Sequence, residues 1–166
     1  MVAPVVETVF LDAGGVLVFP NWTRVSRALA AHGVAVDARR LAAAEPYAKK
    51  RLDKASTIAG TTDRSRSFPY FNLVLEEAGI SQNEATDAAL TELHAYHAQY
   101  NLWESVPADV PGALARLQQL GLRLVVVSNA NGTVGACVQR VGLAGCLPHV
   151  FDSQVEGVEK PDRRLF

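Results

Sequence analysis

Two stretches of the chain, "VVETVFL" at 5–11 and "LRLVVVSNA" at 122–130, are apolar and largely β-branched at nearly every position. That pattern predicts central parallel strands buried on both faces, the first ended by the glycines that follow it. Ahead of the second run, "VPADVPGALARLQQLG" carries Asp109 as a cap, Pro111 in the first turn and Gly121 at the close, which together delimit a helix. Residues 131–141 read as the next helix, "HVFDSQVEG" at 149–157 as a third short strand with its loop, and "EKPDRRLF" as a helix start after Pro161. Helices alternating with buried strands predict an α/β fold with a Rossmann-like parallel sheet.

The segment between the first two strands has a different rhythm. "WTRVSRALAAHG", "DARRLAAAEPYAKKRLDKAS", "YFNLVLEEAGI" and "NEATDAALTELHAYHAQYN" repeat apolar positions at helical spacing, and no strand is expected among them. A structureless connection of this length is rare in a compact domain. The chain therefore reads as an α/β core, residues 1–18 and 108–166, interrupted by an inserted helical subdomain at 19–107.

Composition narrows the function. Hydrophobic residues make up 49% and charged residues 20%, as in ordinary globular proteins. The formal net charge is −1 and the sequence pI about 6.4, so there is no broad basic surface for nucleic acid and no polybasic run for a membrane face. Cys137 and Cys146 show no CxxC spacing and read as reduced core residues without a zinc site. The N-terminus lacks a basic leader, and Glu7 and Asp12 break its apolar run well short of the roughly 20 residues that span a bilayer. A cytoplasmic protein is expected.

In an open parallel sheet ligands bind beyond the carboxyl ends of the strands, where Asp12, Ser128 and the loop to Lys160 are all expected. A carboxylate there can attack an electrophilic phosphorus or carbon and form a covalent intermediate that water later cleaves. Gly14 and Gly15 let the backbone approach a substrate closely. Ser128 and Asn129 offer a hydroxyl and backbone amides to an anion at a helix N-terminus. Lys160, fixed by Pro161, can offset the charge of both Asp12 and the substrate.

The ordered set "VFLDAGGVLV", "LVVVSNANG" and "VEGVEKPDRRLF" resembles the haloacid dehalogenase-like (HAD) hydrolase superfamily over essentially the whole chain, with Asp12, Ser128 and Lys160 in its first three motifs. By that resemblance the helical insert corresponds to a C1-type cap that helps to choose the substrate. Asp12 would be the nucleophile, Ser128 would bind the transferring group, and Lys160 would steady the charge. Many members are magnesium-dependent phosphatases of small anionic metabolites, so the resemblance implies Mg²⁺ held by Asp12, the backbone carbonyl of Gly14 and an acidic fourth motif.

Two departures qualify the resemblance. Family phosphatases place an aspartate, the general acid and base, where this chain has Gly14. Such proton transfer contributes about a hundredfold to ten-thousandfold, so a substrate with a good leaving group, as in metal-independent 2-haloacid dehalogenation, is the alternative. No acidic fourth motif follows Lys160. This predicts weak metal binding and an apolar sheet edge that drives association, as in a homo-oligomer, or demands a partner; the chain is then either a fragment of a longer protein or, as a further alternative, a non-catalytic truncated relative.

Other residues are secondary. Phe19 and Trp22 are candidates to line the substrate pocket, or else form a hinge and a packed aromatic. Arg24 and Arg27 could meet an anionic substrate. His94 and His97 share a helix face without an evident third metal ligand, and the basic run at 49–54 reads as a solvated helix face.

Overall fold

The computed structural model describes residues 6–54 and 63–166. The first residues of the expected N-terminal strand and the last of the helix expected at 37–56 lie outside these. The described chain divides into two compact units, one comprising the residues up to Pro20 and from Ala98 to Phe166, the other Asn21–His97.

The first unit holds a parallel sheet of β1 (Thr8–Leu11), β4 (Arg123–Ser128) and β5 (His149–Asp152), in the order β1-β4-β5. The fold class is α/β, as the alternation of helices and apolar runs predicts. β4 is the strand buried on both sides. Leu124 and Val126 join a cluster with Leu114, Val134, Val138 and Leu147, while Val125 and Val127 face Leu165 and Val158. The helices α5 (Val110–Gln119) and α6 (Val134–Arg140) supply much of the first cluster.

β1 departs from the expectation of a central strand. It lies at the end of the described sheet, and Phe10 is 50% exposed, in edge-to-face contact with Phe166 at 5.7 Å. A run of apolar residues reports affinity for a sheet but not position within it. Other boundaries also shift. The helix expected at 131–141 begins only at Val134, and the helix start after Pro161 is a single 3-10 turn, Arg163–Leu165. Asp109 stands at the N-cap position just before α5 but makes no side-chain cap bond.

A two-stranded antiparallel ribbon was not expected. β2 (Phe19–Pro20) pairs with β3 (Trp103–Ser105), both within the first unit. A short α7 (Ser153–Glu156) follows β5 directly.

The second unit is helical: α1 (Trp22–Ala31), α2 (Ala38–Lys54), α3 (Asp63–Glu77) and most of α4 (Glu84–Tyr100). Asn21 caps α1 by accepting from the Arg24 amide at 3.0 Å, and Asn83 caps α4 by accepting from the amides of Ala85 and Thr86. Its apolar interior contains a buried carboxylate. Glu45 accepts from the Trp22 indole at 3.1 Å and from the Tyr70 hydroxyl at 2.8 Å, and pairs with Lys49 at 2.9 Å, tying α1, α2 and α3 together. Burial and the neighbouring carboxylate push the Tyr70 phenol far up, so it stays a donor.

Two outcomes follow for this unit. Glu45→Ala leaves two buried donors without an acceptor and should cost on the order of 2 to 4 kcal/mol in urea unfolding, with Glu45→Gln costing less because it keeps an acceptor oxygen. Equal stability of Glu45→Ala and the parent would show that the network contributes nothing. Burial, and secondarily His94, lower the His97 imidazole to about 4. The unfolded chain, with an ordinary imidazole, binds a proton between about pH 6.5 and 4 that the fold does not, so stability should decline as the pH falls through that window. Thermal melts across this range check it, and His97→Gln should flatten that part of the acid slope.

Candidate active site

Parallel strands end on the same side of a sheet, which is how residues far apart in sequence meet here. Leu11 is in register with Val126, and Ser128 with Asp152, so Asp12, Ser128 and Asp152 all stand at carboxyl ends of adjacent strands. The loop to Lys160 leaves the same end of β5. Its ammonium pairs with the Asp12 carboxylate at 3.0 Å and donates to the Val127 carbonyl, also at 3.0 Å.

The loop after β1 is closed by backbone bonds, and the same loop orients Asp12. The Ala13 carbonyl accepts from Leu17 and Val18 at 2.9 and 3.0 Å, and Gly15 donates to the Val18 carbonyl at 2.8 Å. Gly15 has φ of 78°, a left-handed conformation that suits glycine. The second oxygen of Asp12 accepts from the Ala13 amide at 2.8 Å, so the carboxylate is oriented while 44% of its side chain stays accessible.

Gly14 lies beside the indole of Trp103, a neighbour that sequence reasoning missed. A Cβ built on Gly14 would stand 3.6 Å from Trp103 Cδ1 and 3.8 Å from Nε1, which is ordinary contact. The position therefore has room for a side chain. Only the β2–β3 ribbon, formed by residues distant in sequence, brings Trp103 there.

Ser128 is buried at the end of β4. Two amides between β4 and the first turn of α6 already have an acceptor within the protein. The carboxylate of Asp152, itself buried, already accepts from Gly132 at 3.0 Å and Val134 at 3.3 Å, and caps α7 through Gln154 at 3.0 Å. Thr133, at the start of α6, makes no side-chain cap bond, so Asp152 supplies the negative charge that the helix N-terminus favours. Ser153 holds the same turn, its Oγ accepting from the Ala130 amide at 3.0 Å.

The remaining candidates have other partners. Asn129 directs its side chain at the main chain of Lys160. Phe19 is half-buried in β2, and Trp22 is buried in the helical unit against Glu45 and Phe71. Arg24 stacks on Tyr96 at 3.8 Å, and with Arg27 lines a cleft of about 450 Å³ in that unit.

Mg²⁺ prefers six oxygens and takes one or two protein carboxylates. Among the described residues no group of three His, Cys, Asp or Glu side chains is placed to hold a metal; Asp12 is paired with Lys160, and the carboxylate of Asp152 is taken by backbone amides. The side chains placed among the described residues do not by themselves make a Mg²⁺ centre. Among the described residues no helix is long and apolar enough to cross a membrane.

An α/β domain with a carboxylate, a hydroxyl and an ammonium at the ends of parallel strands defines a class of hydrolytic and transfer enzymes. A family model described as haloacid dehalogenase-like hydrolase matches residues 6–166, and the chain belongs to this family. No curated protein matches it in sequence. Solved structures match its fold. The magnesium-bound YfnB of Bacillus subtilis, assigned to the HAD-hydrolases, is 16% identical with a TM-score of 0.61, covering 98% of this chain and 70% of its own. A dehalogenase is 19% identical with a TM-score of 0.57, covering 99% and 70%. A predicted phosphoglycolate phosphatase from Haemophilus somnus is 16% identical with a TM-score of 0.52, covering 94% and 66%.

The carboxylate of Asp152 gives this site its own prediction. Asp152→Ala should speed amide exchange at residues 130–134 and cost on the order of 1 to 3 kcal/mol, because buried amides lose their acceptor. Hydrogen-exchange mass spectrometry checks it, and unchanged exchange in this turn would refute the assigned role.

Proposed function

We propose that the chain is a hydrolase of small phosphorylated metabolites that acts through a covalent intermediate on Asp12. The observation that carries this reading is the 3.0 Å pair of Asp12 and Lys160 at the strand ends. One oxygen of Asp12 attacks phosphorus, an aspartyl-phosphate bond forms, and the bond to the leaving oxygen breaks with its electron pair. Water then cleaves the intermediate and returns the carboxylate. Lys160 offsets the negative charge of carboxylate and phosphoryl group together, and the Ser128 hydroxyl donates to a phosphoryl oxygen. The helical unit, inserted between the first and second motifs, is assigned the role of a C1-type cap that selects the substrate.

Gly14 supports a second reading. A departing alkoxide needs a proton, and glycine has none to give. Halide leaves without one, so displacement at the carbon of a 2-halo acid, with Asp12 forming an ester that water hydrolyses, suits this site as it stands. The dehalogenase among the structural neighbours is consistent with that chemistry.

Two variants test these readings. Asp12→Asn should abolish turnover of p-nitrophenyl phosphate and of 2-chloropropionate alike, together with the aspartyl adduct seen by mass spectrometry after acid quench. Full activity in Asp12→Asn would refute both readings, and phosphate binding without turnover would indicate a non-catalytic protein. Gly14→Asp should raise hydrolysis of alkyl phosphates by about a hundredfold or more and leave halide release without gain.

A further inference from the structure

The side chain of Asn129 does something the sequence does not foretell. Its Oδ1 accepts from the Lys160 amide at 2.6 Å and its Nδ2 donates to the Lys160 carbonyl at 3.1 Å. One planar carboxamide thus holds both main-chain hydrogen-bonding groups of a single residue. At the other end of that residue, Nζ reaches the Val127 carbonyl and Asp12. Val127 and Asn129 flank Ser128, so the end of β4 grips Lys160 by its backbone and by its ammonium.

The grip is rigid because its base is rigid. Asn129 opens the turn that Ser153 holds at Ala130 and Asp152 holds at Gly132 and Val134. A lysine carries considerable rotamer freedom on its four-carbon stem, and the ammonium stays on target only if the start of that stem is fixed. Small misplacements of catalytic groups are costly, since an error of about 1 Å can lower a rate by about a hundredfold.

We infer that Asn129 is a positioning residue for Lys160 and not a ligand of the substrate through its side chain. The inference rests on the proposed role of Lys160 in offsetting the charge of Asp12. Asn129→Ala, in the full chain, should lower kcat by about tenfold to a hundredfold with KM within about twofold of the parent. Without substrate, an amine-acylating reagent read by peptide mass spectrometry should label Lys160 several times faster in Asn129→Ala than in the parent. A raised KM with unchanged labelling of Lys160 would overturn the inference.

If Asn129→Ala does not fold, the parent decides by itself: its Lys160 amide should be protected in hydrogen exchange, and exchange at the rate of an unstructured chain would overturn the inference. Labelling and exchange need no turnover. They therefore decide the clamp even if an active Asp12→Asn variant shows the proposed reaction to be wrong.

Discussion

The candidate site depends on one constraint, that three parallel strands end on the same side with β4 in the middle. That order sets Asp12, from the start of the chain, within 3.0 Å of Lys160, from near its end. An ion pair with this much exposure contributes little to stability. Its value is positional, since it directs a cation at the oxygen expected to attack. The burial of β4 on both faces keeps the arrangement in register, because a slip would move Leu124 and Val126 out of one cluster and Val125 and Val127 out of the other.

The molecule buries carboxylates in two ways. Glu45 sits in an apolar helical interior and is satisfied by an indole, a phenol and an ammonium. Asp152 sits at a strand end and is satisfied by backbone amides. The first joins three helices. The second occupies the start of the helix after β4, through the amides of Gly132 and Val134. Both obey the rule that a buried charge needs partners, and the partners available locally determine what the charge does.

The α/β class and the sequence order of Asp12, Ser128 and Lys160 were legible because they depend on local pattern: apolar runs for strands, helical periodicity between them, and polar residues that follow the apolar runs. The unexpected features all depend on partners remote in sequence. β1 at the sheet end, the β2–β3 ribbon beside Gly14 and the Asn129 clamp on Lys160 leave no periodic trace. Asn129 follows Ser128 in an ordinary-looking turn, and nothing in "SNANG" shows that its carboxamide will meet a main chain 31 residues away.

The α/β class and the main helical and apolar segments follow from the chain's local pattern, because backbone preference and hydrophobic period act over a few residues. Only the tertiary structure decided which of those residues meet, which charge fills which helix end, and that Trp103 stands beside Gly14. Those outcomes follow from strand order and packing, in which each contact is set by the summed burial of the whole core rather than by any short stretch of chain.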